Sequence, residues 1–208
     1  MTLDEVLKAF RERPPESVLV TGPQRSGTTI AAHILASELR YAYVDETEFG
    51  AHDHRRASKI AARGHVVLQG PGLCHVAHVY ALNGTAVVMM RRDVDAIRLS
   101  EERIGWRTER EGFNLRIEQH KYRSMFGVTG DDIAAIKYYC WDMLQKRHVD
   151  AFDLDYESMR QHPLWRSRRE RDWFGPRQWQ SRAHPAPSPA NAYSEAPILF
   201  RDTEGGRG

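Results

Sequence analysis

The sequence predicts an α/β domain with three layers, in which helices flank a mainly parallel central sheet of about five strands. Two observations predict this fold class. Short, unbroken apolar runs, as expected for strands buried on both faces, alternate along the chain with longer segments of helical spacing. The first of these runs is followed by a glycine-containing turn and then a helix, which is the opening unit of a parallel βαβ sheet.

The elements follow one another in a regular order. Thr2-Leu-Asp-Glu5 has the pattern of a capping box and opens a first helix, which two prolines end. Strands are predicted at residues 17–21, 43–44, 65–69, 86–90 and 152–155. Helices are predicted at residues 28–39, 54–63, 74–82 and 93–103, and a further long helix is predicted to be capped by Asp131 or Asp132. This alternation implies a parallel sheet with right-handed crossovers.

The chain length allows one domain with a proper core and little beyond it. With 208 residues, of which 41% are hydrophobic, we expect a single domain over residues 1–180. Residues 181–208 are rich in proline and glycine and are expected to form a flexible tail. The polar segment Gly105–Gly130 lies outside the alternating pattern, and we interpret it as a loop or lid.

Charge and cysteine content exclude several classes of protein. The net charge of +2 is too small to indicate a nucleic-acid partner or an anionic membrane surface. Cys74 and Cys140 cannot form a disulfide framework, and neither has zinc-finger spacing, so we expect buried free thiols in a reducing compartment. The sequence has no apolar stretch near the ~18 residues of a membrane span and no signal peptide, so a cytoplasmic location is expected.

The strongest motif is Gly22-Pro-Gln-Arg-Ser-Gly-Thr-Thr29, which stands between a buried strand and a helix. Glycines let the backbone fold around an anion, while the amides at a helix N-terminus supply donors and a positive dipole. An ordinary capped turn needs neither two glycines nor an arginine with three hydroxyls. The motif therefore predicts a P-loop domain that binds a phosphorylated nucleotide.

This loop differs from the usual triphosphate-binding loop at an informative position. That loop ends in Gly-Lys-Ser/Thr, and its lysine reaches the β- and γ-phosphates. Here Thr28 follows Gly27 in place of the lysine, and Arg25 is the only cation in the loop. The change disfavours kinases and ATPases, whereas a terminal monophosphate or phosphosulfate would still be held.

The segment Pro-x-Arg/Lys-Ser-Gly-Thr-Thr resembles the 5′-phosphosulfate loop of sulfotransferases that use 3′-phosphoadenosine 5′-phosphosulfate. This chain has one additional residue, Gln24, between the proline and the arginine. The resemblance implies that the donor's 5′-phosphosulfate is bound by the five consecutive residues Arg25, Ser26, Gly27, Thr28 and Thr29. It also implies a reaction that requires no metal.

Two further elements of the same family have counterparts here. The family binds the 3′-phosphate with an arginine at the end of a central strand and a serine eight positions later, which correspond to Arg92 and Ser100, although Arg91 could exchange roles with Arg92. The stretch beginning at Phe152 resembles the family segment whose tyrosine lies near the adenine, and Tyr156 occupies that position. A C-terminal cation of the family has no clear counterpart, and Arg177 is the candidate to substitute for it.

Two residues are candidates for the catalytic base. Tyrosylprotein sulfotransferases carry a glutamate after the second strand, twenty-one residues beyond the loop arginine, which corresponds to Glu46. Cytosolic sulfotransferases instead use a histidine directly after the third strand, where this chain has Gly70 and Pro71, with His75 only later. We therefore favour Glu46 over His75. A solvated acidic loop and packing roles for the histidines are the alternatives.

Taken together, the resemblance implies a sulfotransferase that moves a sulfuryl group to a hydroxyl or amine of an unknown acceptor. Two alternatives compete with it. One is a P-loop kinase of a small metabolite or nucleotide, for which Asp93 is the nearest candidate magnesium ligand. The other is a nucleotide-binding protein without catalytic activity. The expected partners are the nucleotide donor and the acceptor, and neither the acceptor nor an oligomeric state can be read from the sequence.

Overall fold

In the computed structural model, the chain forms a five-stranded sheet in which every observed strand pair is parallel. The structure describes residues 1–81, 84–103, 112–130, 132–146 and 151–170. The strands are β1 (Ser17–Thr21), β2 (Ala42–Val44), β3 (Val66–Gln69), β4 (Thr85–Arg91) and β5 (Ala151–Asp155). Their order in the sheet is β2-β3-β1-β4-β5, so the first strand lies at the centre. The predicted α/β fold class is confirmed.

Helices lie on both faces of the sheet. They are α1 (Leu3–Glu12), α2 (Thr28–Leu39), α3 (Glu46–Phe49), α4 (His54–Ala61), α5 (Ala77–Ala81), α6 (Val94–Arg103), α7 (Gly112–Phe126), α8 (Ile133–Cys140) and α9 (Pro163–Glu170). Two 3₁₀ segments, Pro71–Val76 and Glu157–Gln161, and a π-helical turn, Trp141–Gln145, complete the described elements. No helix among the described residues combines the length and apolar character that a membrane span requires.

Alternation along the strands divides the core into two layers. Val18 and Val20 of β1 face a cluster that includes the apolar sides of α1 and α2, whereas Leu19 between them faces the cluster that contains α4, α5 and Trp141. Burial on both faces explains why β1 reads as one unbroken apolar run. The capping box predicted at Thr2 and Glu5 is present at the start of α1.

The prediction of a loop over Gly105–Gly130 is wrong for its larger part, because Gly112–Phe126 forms the fifteen-residue helix α7. Its inward face carries Glu118, Tyr122 and Phe126, which are spaced four residues apart, and Tyr122 is completely buried. The glutamate and the tyrosine at inward positions interrupt the periodic spacing of apolar residues from which a helix is predicted. Residues 104–111 lie outside the described part of the chain.

The boundary between the predicted domain and its C-terminal tail also falls outside the described residues, as does Arg177. Asp131 is likewise not described, whereas Asp132 caps α8 by accepting hydrogen bonds from the amides of Ala134 and Ala135. The two cysteines, Cys74 and Cys140, are buried free thiols, as predicted.

Candidate functional site

The phosphate loop connects the end of β1 to the start of α2 at the carboxyl edge of the sheet. Its backbone is strongly bent, with φ values of 143° at Gly22, 63° at Arg25 and 97° at Gly27. Glycine adopts such values readily, but an arginine at positive φ is uncommon and costs conformational energy. Inside the loop, the hydroxyl of the buried Ser26 donates to the carbonyl of Pro23 at 2.6 Å. The loop is therefore held as a compact turn by its own contacts.

The first turn of α2 faces this loop without a side-chain cap. The N-cap residue is Gly27, which makes no side-chain capping hydrogen bond, and the first turn contains no acidic residue. Helix N-termini carry unsatisfied amides and partial positive charge, which favour a bound anion. The hydroxyl of Thr28 accepts a hydrogen bond from Gln69 Nε2 at 3.2 Å. The next residue, Thr29, is half-buried.

Four of the residues predicted from the sequence meet at this loop. Arg25 Nε donates to Ser100 Oγ at 3.2 Å, and Arg92 Nη1 donates to the carbonyl of Arg25 at 2.6 Å. The Arg92 guanidinium lies 4.3 Å from the centre of the Tyr156 ring, a distance at which cation and ring attract each other. Residues from the loop, the position after β4, α6 and the turn after β5 therefore contact one another.

Two positive charges stand close together here. The Arg25 side chain is exposed overall, yet desolvation of its guanidinium and the charge of Arg92 both lower its pKa. Arg92 Nε is buried and has no hydrogen-bond partner among the described residues. Two neighbouring guanidinium groups repel each other, and an anion between them would relieve that repulsion.

The neighbouring charged residues have other tasks. Arg91, the last residue of β4, pairs with Asp142 and Asp153, whereas Arg92 contacts the carbonyl of Arg25. Asp93 accepts from the amide of Ala96 and so caps α6. The structure therefore favours Arg92 over Arg91 as the arginine at the loop. No group of three potential metal ligands occurs among the described residues.

Gly27 packs directly against the Tyr156 ring. A Cβ added at Gly27 would lie 2.5 Å from Cδ2 of that ring.

We expect Gly27→Ala to reduce the free energy of unfolding by about 2–4 kcal/mol, from backbone strain at positive φ together with overpacking. Chemical denaturation measures this loss. Gly127→Ala is the matched control, because Gly127 has φ 68° but nothing within 4 Å of the added carbon, so it should cost only about 1 kcal/mol. Equal losses in the two variants would contradict the contact with Tyr156.

Glu46 begins helix α3, directly after β2. Asp45 caps this helix and forms a reciprocal capping box with Glu48. Asp45 and Glu48 therefore stabilise the start of the helix, and Glu46 is not part of the capping box. Burial and the adjacent charge of Asp45 raise the pKa of Glu46 to about 7, with Glu118 acting in the same direction and Lys137 against it. A carboxyl group with a pKa near neutrality is suited to general base catalysis.

His75, the other candidate base, lies in the 3₁₀ segment after β3. It is buried, and burial lowers its pKa to about 4, with Lys121 and Lys137 acting in the same direction. Its Nδ1 has no hydrogen-bond partner among the described residues, and its ring lies 6.3 Å from that of Tyr122. The ring is therefore neutral at physiological pH. Glu46 and His75 both respond to the charge of Lys137, which indicates that they lie around the same cluster of charges.

Sequence reasoning missed that cluster. Lys137 on α8 is completely buried and forms an ion pair with Glu118 at 2.8 Å. Glu118 is also within 3.5 Å of His52 and 3.6 Å of Lys121. These charges together lower the pKa of Glu118 despite its burial. The spacing of residues in α8 could have revealed the buried lysine. Lys137 stands four residues after Ile133 on the inward face of the helix, where an apolar residue is expected.

The lysine also reaches the phosphate loop. Lys137 Nζ donates to Gln24 Oε1 at 2.7 Å and to the carbonyl of Pro71 at 3.2 Å. Gln24 is the residue by which the loop exceeds the sulfotransferase pattern. The cluster therefore joins the loop, the end of β3 and helix α7.

Comparison with known proteins finds similarity to solved structures. No protein-family model and no curated protein sequence matches the chain. Among solved structures, the chain is similar to a shikimate kinase from Acinetobacter baumannii in complex with shikimate, with 16% sequence identity and a TM-score of 0.36. The match covers 68% of this chain and 98% of the kinase.

Proposed function

We propose that this protein is a sulfotransferase that uses 3′-phosphoadenosine 5′-phosphosulfate as donor and transfers its sulfuryl group to a hydroxyl or amine. The observation that supports the proposal is the meeting of Arg25, Arg92, Ser100 and Tyr156 at one loop. These residues were selected from the sequence by their resemblance to a donor site, yet they are widely separated along the chain. A purely structural role for each would not require their contact.

In this proposal the donor lies across the loop. The α2 amides and Arg25 hold the 5′-phosphosulfate, while Arg92 and Ser100 hold the 3′-phosphate. Tyr156 packs beside the base. The group-transfer step needs no residue to form a covalent bond with the substrate, so positioning and charge stabilisation provide the catalysis.

The transfer step involves one base and one leaving group. Glu46 takes the proton from the acceptor hydroxyl or amine as the acceptor atom forms a bond to sulfur. The bond from sulfur to the bridging phosphate oxygen breaks, and its electron pair leaves with adenosine 3′,5′-bisphosphate. Arg25 and the amides at the start of α2 stabilise the charge that develops on that oxygen. Atoms and charge balance without a metal ion or another reactant.

Phosphoryl transfer by a small-molecule kinase is the second candidate, and one observation favours it. The loop has no lysine of its own, but Lys137 reaches Gln24 of the loop from α8. A lysine supplied from another element could take over part of the role that the loop lysine has in triphosphate-binding proteins.

Calorimetric titration separates the two candidates. We expect adenosine 3′,5′-bisphosphate to bind without added metal and more tightly than ATP with magnesium. Tighter binding of ATP with magnesium would favour the kinase. A turnover assay with the sulfate donor and a panel of hydroxyl and amine acceptors then tests for catalysis. Binding without turnover on any acceptor would favour a protein that binds the nucleotide but has no catalytic activity.

Arg92→Ala should selectively weaken ligands that carry a 3′-phosphate. Loss of a charge-assisted contact, worth roughly 1.5–3 kcal/mol, predicts about ten- to hundredfold weaker binding of adenosine 3′,5′-bisphosphate. Adenosine 5′-phosphosulfate, which lacks the 3′-phosphate, should bind nearly as it does to the unmodified protein. Calorimetry with both ligands measures the difference. Equal losses for the two ligands would show that Arg92 only maintains the loop through its bond to the Arg25 carbonyl.

A further inference from the structure

Lys137 combines complete burial with contact to three parts of the site. Its side chain is 0% exposed, and its Nζ contacts Gln24 of the loop, Pro71 at the end of β3 and Glu118 on α7. Burial of a charged side chain is costly, and an apolar residue at such a position is often at least as stabilising as a buried ion pair. Packing of α8 alone therefore does not explain a lysine here.

The contact with Gln24 connects this lysine to the conformation of the loop. Gln24 immediately precedes Arg25, which adopts positive φ, and lies two residues before the buried Ser26. A hydrogen bond that fixes the Gln24 side chain restrains the segment that presents Arg25. The additional residue of the loop is thus the one that meets the lysine.

The same lysine also joins the loop to helix α7. Its Nζ lies 2.8 Å from Glu118 Oε2, and Glu118 is within 3.6 Å of Lys121 on the same helix. The contact with Gln24 is therefore made by a side chain whose own position is fixed by an ion pair.

We propose that Lys137 is a positioning residue for the donor loop, which it holds through Gln24 while Glu118 and the Pro71 carbonyl hold its own ammonium group. The inference rests on the proposed function, because it treats the loop as the donor site. Lys137 itself touches neither substrate. Its role is to restrain the segment that presents Arg25.

The proposal is tested by calorimetric titration of adenosine 3′,5′-bisphosphate into four proteins: the unmodified chain, Gln24→Ala, Lys137→Met and the double variant. We expect each single change to weaken binding about tenfold. The double variant should be little weaker than either single variant, because both changes remove the same contact. Unchanged affinity in Gln24→Ala, or losses that multiply in the double variant, would overturn the proposal.

A lysine with only a packing role is distinguished by comparing stability with affinity. Such a role predicts a lower melting temperature in Lys137→Met and, at a temperature where the variant is folded, an unchanged affinity for adenosine 3′,5′-bisphosphate, which would overturn the proposal.

The design separates this inference from the proposed function. If the unmodified protein does not bind adenosine 3′,5′-bisphosphate, the proposed function fails, and the titrations are repeated with ATP and magnesium. If Lys137→Met does not fold, Gln24→Ala tests the inference alone, since an affinity that does not change in Gln24→Ala contradicts it.

Discussion

Glu46→Gln is expected to reduce turnover by about 10²–10⁴-fold, the usual contribution of a general base. Donor affinity should be nearly unchanged, because the base acts on the acceptor. In the unmodified enzyme, turnover should rise with pH through about 7, where Glu46 loses its proton, and then level off. The variant should lose this acidic limb. Steady-state kinetics across pH, with calorimetric measurement of donor affinity, provide both readouts.

The same substitution has an opposite effect on stability. The pKa of Glu46 is raised in the folded protein, so its ionisation destabilises the fold progressively as pH rises from the unfolded pKa towards about 7. Glu46→Gln should therefore raise the free energy of unfolding above pH 7, by up to a few kcal/mol, and change it little near pH 4. Denaturation at the two pH values measures this. A base that lowers stability while supporting turnover is a combination that a solvated acid would not show.

Asp45→Asn and His75→Ala are the controls. Asn can still cap α3, so Asp45→Asn should change stability little. It should shift the acidic limb to lower pH without removing it, because the negative charge that raises the pKa of Glu46 is lost. If Glu46→Gln keeps near-normal turnover and His75→Ala abolishes it, the histidine is the base. The match of the Glu46 spacing to the tyrosylprotein enzymes would then be coincidence.

Arg25→Ala is expected to remove activity almost completely, with a fall in turnover of about 10³–10⁵-fold, the effect of arginines that stabilise transferring phosphoryl groups. Arg25 is the only cation within the loop sequence, and its guanidinium lies beside that of Arg92. Binding of adenosine 3′,5′-bisphosphate should also weaken, because the 5′-phosphate loses a charge-assisted contact. A turnover assay and calorimetry measure the two effects.

Arg25→Lys keeps the charge but not the planar donor group, so it should recover part of the donor affinity and little of the turnover. Ser100→Ala removes the partner that Arg25 contacts in the structure. Its effect should be largest for ligands with a 3′-phosphate. Wild-type turnover and donor affinity in Arg25→Ala would contradict the assignment of the loop as the donor site.

The sequence alone determined the fold class and the position of the loop. Five apolar runs that alternate with helical segments predicted a parallel sheet because strands buried on both faces lack polar alternation, and all five strands are present. The boundaries of β1 and α2 around the loop agree with the prediction because the two glycines and the following hydroxyls end one element and begin the next. Local chemistry determined these features.

The resemblance to the sulfotransferase family also pointed to Arg25, Arg92, Ser100 and Tyr156, but only the tertiary structure brought them into contact. The parallel register of β4 beside both β1 and β5 places the ends of these strands at one edge of the sheet. The distinction between Arg91 and Arg92 likewise depended on their contacts in the folded chain, because Arg91 pairs with Asp153 and Arg92 donates to the carbonyl of Arg25. Their binding roles stay predictions.

Helix α7 and the buried cluster of Lys137 and Glu118 were decided by tertiary structure alone. A lysine and a glutamate on inward faces break the apolar pattern from which buried helices are recognised, and each is tolerated in the interior only because the other lies 2.8 Å away. The two are nineteen residues apart on different helices, and no local signal pairs them. The raised pKa of Glu46 has the same origin, because burial and neighbouring charges, which arise only on folding, produce it.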